Sequence, residues 1–567
     1  LNKFKKFVQL VGLFFLFALP FLYLLFFYFQ PLFATFEMAF QATVIEKIST
    51  SWNLIKRPIY FTFWQASLST ILTGIIGFPA AFMLAKFRFW GKSFLRLLIT
   101  IPFIMPTVVV AAGFNALLGS KGWINLLLQS LFSLDHAPLQ IMNTLGAILL
   151  AHVFYNSTVF IRVVSGAWSQ LDPKLDYAAQ SLGSPPWKVW LQITLPLLKP
   201  AIFSAIILVF LFNFTSFAVI LLLGGPKFST IEVEIYVQAL QLFNLPLAGL
   251  LSAIQLLFTL VLSILNMRLT HIKTVQLTPR NPDVIVQPVR GWKQHLFVIS
   301  MNALLIGLFV LPLLALLFRS VILIETKLVS QEITNYYRFS LIYYQELFLN
   351  RRQSLFYVPP VAAILNSLYF GFITVGIALL LGFLAARIIS IRNFLGKILD
   401  PVLMLPLGTS AVTLGLGFVL VFNKPPLEVN TFPLLIPVAH SLVAIPFVVR
   451  ILQPALLSFP KELIFASQTM GASSWRSFWR IEFPIISRAF ISAALFAFTI
   501  SMGEFGATTF LARPEYPTIP IAIYRYLSQP GGLNYGQAMA MSTILMIICT
   551  LSIYSIEKLK TPVINEF

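Results

Sequence analysis

The chain has 567 residues, of which 58% are hydrophobic and only 10% charged, with a mean hydropathy of +0.87. A soluble domain carries about 25% charged residues, and a disordered chain lacks the Phe, Leu and Ile that dominate here, so both classes are excluded. The formal charge of +20 comes from basic residues spread thinly between apolar runs, which argues against a nucleic-acid partner, and the single cysteine, Cys549, excludes an intrachain disulfide or a Cys-rich zinc site.

About 20 apolar residues cross the hydrocarbon core as a helix. The first such run covers 7–29. Lys3, Lys5 and Lys6 precede it, as in a signal peptide, but its length is that of a retained helix. Further spans are predicted at 60–85, 97–118, 141–163, 201–223 and 247–266. A second set follows at 296–318, 362–386, 401–421, 433–452, 487–511 and 537–556. The fold class expected is an all-α polytopic membrane protein with about 12 transmembrane helices in a lipid bilayer. With the N-terminus inside, 26 of the 39 Lys and Arg fall on cytoplasmic segments and span ends. Both termini are then cytoplasmic by the positive-inside rule.

The two sets of six spans repeat each other. Residues 151–162 align with 439–450 at an offset of 288, pairing Ala151 with Ala439, His152 with His440 and Arg162 with Arg450. The register continues through Gly183/Gly471, Trp187/Trp475, Ile193/Ile481, Pro196/Pro484, Phe217/Phe505 and Tyr236/Tyr524. Upstream the offset becomes 304, as in Pro102/Pro406 and Gly113-Phe114/Gly417-Phe418, and a longer loop near 119–139 against 422–432 absorbs most of the difference. Six spans is an even number, so the halves run through the membrane in the same direction about a pseudo-two-fold axis along its normal. The expected organisation is a first repeat over 1–266, a polar cytoplasmic linker over 267–293 and a second repeat over 294–567, with a pathway between the halves.

Between the fourth and fifth spans of each half lies a polar segment too long for a turn. Residues 171–200 read LDPKLDYAAQSLGSPPWKVWLQITLPLLKP, and 459–488 read FPKELIFASQTMGASSWRSFWRIEFPIISR. Each reads as a helix, a glycine stop and a second helix. Gly183 and Gly471 suit the left-handed position after a helix, and Pro185-Pro186 and Ser473-Ser474 suit the start of the next. Pro196 and Pro484 mark entry into the following span. A short helix repeated on the cytoplasmic face fits a docking element, where Ala178, Ala179, Ala466 and Ser467 let a partner come close. It equally fits an interfacial helix anchored in lipid by Trp187 and Trp475.

These segments resemble the EAA loop of permease subunits of binding-protein-dependent ABC importers. That pattern is Glu-Ala-Ala, three residues, Gly, nine residues, then Ile, any residue, Leu-Pro. Tyr177-Ala178-Ala179, Gly183, Ile193 and Leu195-Pro196 match at every spacing, and so do Phe465-Ala466-Ser467, Gly471, Ile481 and Phe483-Pro484. Both depart at the Glu, replaced by Tyr177 and Phe465, and the second also replaces an Ala and the Leu. The chain as a whole resembles the fused, two-in-one permeases of ferric iron and thiamine importers. It shares with them Thr215-Ser216-Phe217-Ala218, Leu223-Gly224-Gly225-Pro226 and Gly503-Glu504-Phe505-Gly506-Ala507. The resemblance implies a type I importer permease fold, two separate ATP-binding-cassette ATPase subunits, an extracytoplasmic solute-binding protein and a prokaryotic plasma membrane. The docking residues it implies are Tyr177, Ala178, Ala179, Gly183, Trp187 and Pro196, with Phe465, Ala466, Ser467, Gly471, Trp475 and Pro484. The solute it implies is ferric iron or thiamine.

No catalytic residue, cofactor or metal site is expected. Gly91-Lys92-Ser93 looks like the end of a phosphate-binding loop, but Lys86 stands where that motif needs glycine. Glu504 is the only acidic residue within a predicted span, and its repeat partner is Ser216. A carboxylate there either caps a broken helix or pairs with a base, or it marks a solute pathway or gate. His152 and His440 carry two readings of their own, a structural hydrogen bond or contact with solute or metal. Residues 228–240 and 516–527 read as short amphipathic helices at the outer mouth. The alternative function is an ion-coupled secondary transporter with six plus six helices, which leaves the doubled loop unexplained.

Overall fold

The computed structural model describes residues 17–40, 42–271, 286–329, 332–350, 358–391, 394–425, 427–429 and 431–559. Residues 7–16 of the predicted first span, both chain ends and 272–285 of the linker lie outside the described residues. Among the described residues, eleven helices are long and apolar enough to cross a membrane. A bent pair, Phe394–Gly408 with Ala411–Val421 at 98°, makes a twelfth if counted as one span. The chain is an all-α polytopic membrane protein. Large side chains such as Ile75, Leu257 and Phe372 stand mostly exposed on the spans, as a lipid-facing surface requires.

The elements depart from expectation where polar or proline residues interrupt an apolar run. The predicted span 97–118 is two helices, Lys92–Ile104 and Thr107–Leu118, with Pro106 at the junction. Its repeat partner divides between Phe394–Met404 and Ala411–Val421. There Ser410 caps the second piece, its hydroxyl accepting from the Val412 and Thr413 amides at 3.1 and 3.4 Å. The predicted spans 201–223 and 487–511 also divide, into Leu195–Phe214 with Ala218–Leu223 and Phe483–Gly503 with Gly506–Leu511. Two short strand pairs interrupt the helical pattern. Ile322–Val329 and Glu332–Phe339 form an antiparallel hairpin with Ile322 opposite Phe339. Phe87–Arg88 runs parallel to Gln287–Pro288, which fastens the described end of the linker.

Packing groups the chain into two compact units, one of 1–47, 235–253 and 320–567, the other of 48–234 and 254–319. In the first unit the opening span, Phe17–Ala39, packs on Ala411–Val421. The Tyr28 and Thr409 hydroxyls hydrogen-bond at 2.6 Å, and a Cβ on Gly417 would lie 2.6 Å from the Pro31 carbonyl oxygen. Leu24, Tyr28, Phe418, Leu442 and Val448 belong to the buried core there. In the second unit the span Gly291–Val321 approaches Thr107–Leu118 by the same device. A Cβ on Gly113 would lie 3.0 Å from the Pro312 carbonyl oxygen, and Phe309 meets Phe154 with ring centroids 5.7 Å apart. Gly113 and Gly417 align at the offset of 304, and each seats a proline-bearing turn, of Gly291–Val321 and of Phe17–Ala39 respectively.

This close approach predicts an asymmetry among glycines. Gly417→Val forces the Pro31 turn outward and is expected to cost about 1–3 kcal/mol, the usual range for overpacking. Gly376→Val, at a position with nothing within 4 Å of the added Cβ, is expected to be near neutral. Thermal melting of the purified chain in detergent checks the pair; equal shifts would refute the packing role of Gly417.

Candidate functional site

Two sets of predicted residues fall on defined local structures, the doubled polar loops and the breaks in the fifth spans. Each loop folds as two short helices, Pro173–Ser181 with Pro186–Val189 and Lys461–Thr469 with Ser474–Ser477. Gly183 and Gly471 hold φ of 85° and 84°. The amide after each glycine reaches back five residues, Ser184 to the Ala179 carbonyl at 3.1 Å and Ala472 to the Ser467 carbonyl at 3.0 Å. The glycine amides bond to Gln180 and Gln468, both at 2.9 Å. This paired pattern satisfies the last carbonyls of a helix and needs the left-handed residue at its centre, which a side chain would strain. The Asp172 carboxylate caps the first helix of one loop by accepting from the Lys174 amide at 3.0 Å.

Tyr177, Phe465, Trp187 and Trp475 are each more than half exposed, and Ala178 and Ala466 are exposed beside them. Leu182 and Met470, one residue before the glycines, are 87% and 88% exposed. Sequence reading passed over this second repeat-related pair, although an apolar residue at a helix end in a polar loop was its visible signal. Ser467 turns inward instead of outward. It is buried and bonds the Ser477 hydroxyl at 2.7 Å, so its small size lets the two short helices pack on each other. Ala179 at the matching position is half-buried. Pro196 and Pro484 do not open new helices either. Pro186–Phe214 and Ser474–Gly503 run through as long single helices. Just before each proline a π-turn, Trp190–Thr194 or Phe478–Glu482, lets the Leu195 or Phe483 amide reach back five residues to Trp190 or Phe478. The widened turn accommodates a residue that cannot donate.

At the breaks, a histidine of the fourth span meets the interrupted fifth span in both repeats. His152 Nδ1 lies 3.0 Å from Ser69 Oγ, and its Nε2 lies 2.8 Å from Ser216 Oγ. His440 Nδ1 lies 2.8 Å from Ser501 Oγ, and its Nε2 lies 2.8 Å from Thr508 Oγ1 and 3.2 Å from Glu504 Oε2. Behind them Asn213 donates to Thr70 at 3.3 Å, while Ser501 donates to Thr374 at 3.1 Å. The two pairs occupy matching positions. Glu504 ends the helix Phe483–Gly503, and its carboxylate accepts from the Ala507 and Thr508 amides at 2.8 and 3.0 Å. It therefore caps Gly506–Leu511 while facing a histidine, and both side chains are buried. The helices exceed the predicted spans, so Glu37, Glu482 and Glu557 fall within long apolar helices, while Glu504 stands at the break between Phe483–Gly503 and Gly506–Leu511.

A family profile described as the binding-protein-dependent transport system inner membrane component matches residues 74–272 and again 378–562. The chain belongs to that family. It is accordingly a multi-pass membrane protein of a transport family and not of an enzyme family, consistent with a bacterial inner membrane. It is 27% identical over 523 residues to the thiamine transport system permease protein ThiP of Escherichia coli, covering 90% of this chain and 89% of that protein. ThiP of Haemophilus influenzae is 26% identical, covering 88% and 87%. A probable ABC transporter permease protein, y4fN, of Sinorhizobium fredii is 25% identical, covering 83% and 81%. A chain from the crystal structure of a bacterial ABC transporter involved in the import of the acidic polysaccharide alginate aligns over 48% of this chain and 100% of its own. It does so at 19% identity and a TM-score of 0.42.

The cap geometry at Glu504 separates two substitutions. Glu504→Ala removes both acceptors and leaves the buried Ala507 and Thr508 amides without their side-chain partner, and it is expected to cost about 3 kcal/mol. Glu504→Gln keeps one acceptor and is expected to cost about 1 kcal/mol. Melting of the two variants in detergent, against Ser216→Ala in the other repeat, would show the order; equal values for all three would remove the capping role.

Proposed function

We propose that this chain forms the solute pathway of an ATP-driven importer from two parallel six-span repeats, 1–266 and 294–567, joined by the cytoplasmic linker 267–293. Two ATPase subunits dock on the loops 171–200 and 459–488. An extracytoplasmic binding protein delivers thiamine. The observation that carries this reading is the doubling: each stretch matched to the permease family contains one loop, and the two loops share their capping hydrogen bonds pair for pair. The docking surface of each loop is its exposed aromatic, tryptophan and pre-glycine apolar residue, and Gly183 and Gly471 set the angle between its helices. An ion-coupled transporter has no use for this pair.

The repeat-related residues Tyr236 and Tyr524 support a parallel arrangement. Their hydroxyls are 3.5 Å apart, and a residue that touches its own counterpart lies at the axis relating the two. Burial, reinforced by the neighbouring Tyr236 hydroxyl, raises the Tyr524 phenol above its ordinary value, so it stays neutral. Thiamine is preferred to ferric iron as the solute because thiamine permeases align with this chain over about nine-tenths of its length. The positive-inside count puts both termini and both loops on the cytoplasmic side. Glu504 and Ser216, with His152 and His440, hold the pathway's broken helices in shape under this reading.

The test is co-purification of the full chain with its ATPase in mild detergent, followed by reconstitution with the binding protein and radiolabelled thiamine. One chain is expected to capture two ATPases and to accumulate thiamine only with ATP. The double variant Gly183→Asp/Gly471→Asp is expected to fold but to lose ATPase capture by at least about tenfold. Capture unaffected by that variant would overturn the docking assignment, and ATP-driven uptake of another solute in place of thiamine would overturn the solute.

A further inference from the structure

Each π-turn ends in a residue tied to the end of the second span of its own repeat, and the two ties use unlike chemistry. In the second repeat Glu482 closes the turn Phe478–Glu482 and is 3% exposed. Both of its carboxylate oxygens accept from Arg387, in the last turn of Val361–Ser390; Nη1 reaches Oε1, and Nη2 reaches Oε2 at 3.1 Å. In the first repeat Thr194 closes Trp190–Thr194, and its hydroxyl donates to Asp176 of the docking helix at 3.2 Å. Asp176 in turn pairs with Lys86, the last residue of the second span, at 3.5 Å.

Thr194 and Glu482 occupy the same repeat position, at the offset of 288. The other members do not correspond: Arg387 aligns with Met83, and Asp176 aligns with Ile464. The same two elements are thus joined in both repeats by residues that differ in kind and place. A π-turn is a local weakness in a helix, since its widened ring shifts register more easily than an α-turn. A tilt of the docking helices would be absorbed there unless the turn were held from outside.

We infer that Arg387–Glu482 and the Lys86–Asp176–Thr194 relay are struts that carry docking-helix movement past the π-turn into the second span, and that the second-repeat strut is the stiffer. The inference rests on the reading that ATPases dock on the loops. The stiffness difference follows from the contacts. A two-point guanidinium–carboxylate pair with a buried acid fixes both distance and orientation. The Lys86–Asp176 pair is single, with side chains 38% and 24% exposed, on a cleft of about 230 Å³ where water and salt screen it. These residues are positioning residues and touch no solute under this assignment.

The test uses the full chain with two ATPases in lipid nanodiscs and follows hydrogen–deuterium exchange without nucleotide and after trapping with ATP and vanadate. In the wild type, exchange is expected to change on trapping both in the docking loop, 461–477, and at the second-span end, 384–391. In Glu482→Gln the docking-loop change persists and the second-span change falls about tenfold, with thiamine moved per ATP falling alongside it. The swap Arg387→Glu with Glu482→Arg is expected to restore both. In the first repeat the change at 80–90 should fade in 1 M salt, where the screening length is about 3 Å, while that at 384–391 survives. Should Glu482→Gln fail to assemble, Arg387→Gln breaks the strut from its half-exposed side. An intact complex in which the breaking variant leaves the second-span response unchanged, or in which the swap does not restore it, overturns the struts alone. Failure of the wild type to capture any ATPase overturns the docking reading and the struts together.

Discussion

A helix in hydrocarbon has no water to satisfy an interrupted backbone bond, so each break must bring its own acceptors and donors. Much of the polar chemistry buried in this chain answers that requirement. Ser410 caps the second piece of one broken third span, and the Glu504 carboxylate caps the second piece of a broken fifth span. The Leu195 and Phe483 amides reach back across π-turns ahead of prolines that cannot donate. His152 and His440 lock the breaks from the neighbouring fourth span. A charged group as costly as a membrane-embedded carboxylate is retained at Glu504 because it meets two amides, a hydroxyl and an imidazole at once.

The two repeats meet the same constraint with different chemistry. At the fifth-span break one uses a serine and the other a glutamate, while the histidine opposite is common to both. At the π-turn one uses a threonine relay and the other a direct ion pair. One position of each pair is kept, Ser216 with Glu504 and Thr194 with Glu482, while the side chain there changes in kind and, at the π-turn, its partners change in place as well. The linker adds to the inequality. Gln287, held beside Phe87–Arg88, donates to the Tyr177 hydroxyl at 3.2 Å, so the helix Pro173–Ser181 of the first loop has a contact that the second loop's sequence does not repeat at Phe465.

The spans were legible because twenty apolar residues leave a signal that no soluble element imitates, and the loop glycines because a left-handed helix end has a strong residue preference. The breaks were not. A hydropathy window averages across Thr215-Ser216 or Gly503-Glu504 and returns one long run, although Glu504 itself was visible as an anomaly with capping among its readings. Gly113 and Gly417 stood out as a repeat pair, yet a glycine announces only that something comes close, and that it is the Pro312 or Pro31 turn of an opening span is a long-range fact. Ser467 read as room for a partner because smallness looks the same whether a residue faces out or in. The hairpin 322–339 escaped because a search for helical spans does not weigh an eight-residue strand.

The breaks and the contact between repeat-related residues are linked in space. Phe505, next to Glu504, packs edge-on against Tyr524 with ring centroids 5.6 Å apart, and Tyr524 reaches Tyr236, its own repeat partner. Phe510, on the short helix that Glu504 caps, meets Tyr236 from the other side at 6.4 Å. The carboxylate thus holds both ends of an aromatic bridge that passes through the point where the duplicated sequence touches itself. Placing the cap one residue from the bridge ties the broken fifth span to the contact between Tyr236 and Tyr524. The carboxylate at Glu504 answers the number of donors that a break in hydrocarbon leaves to be satisfied.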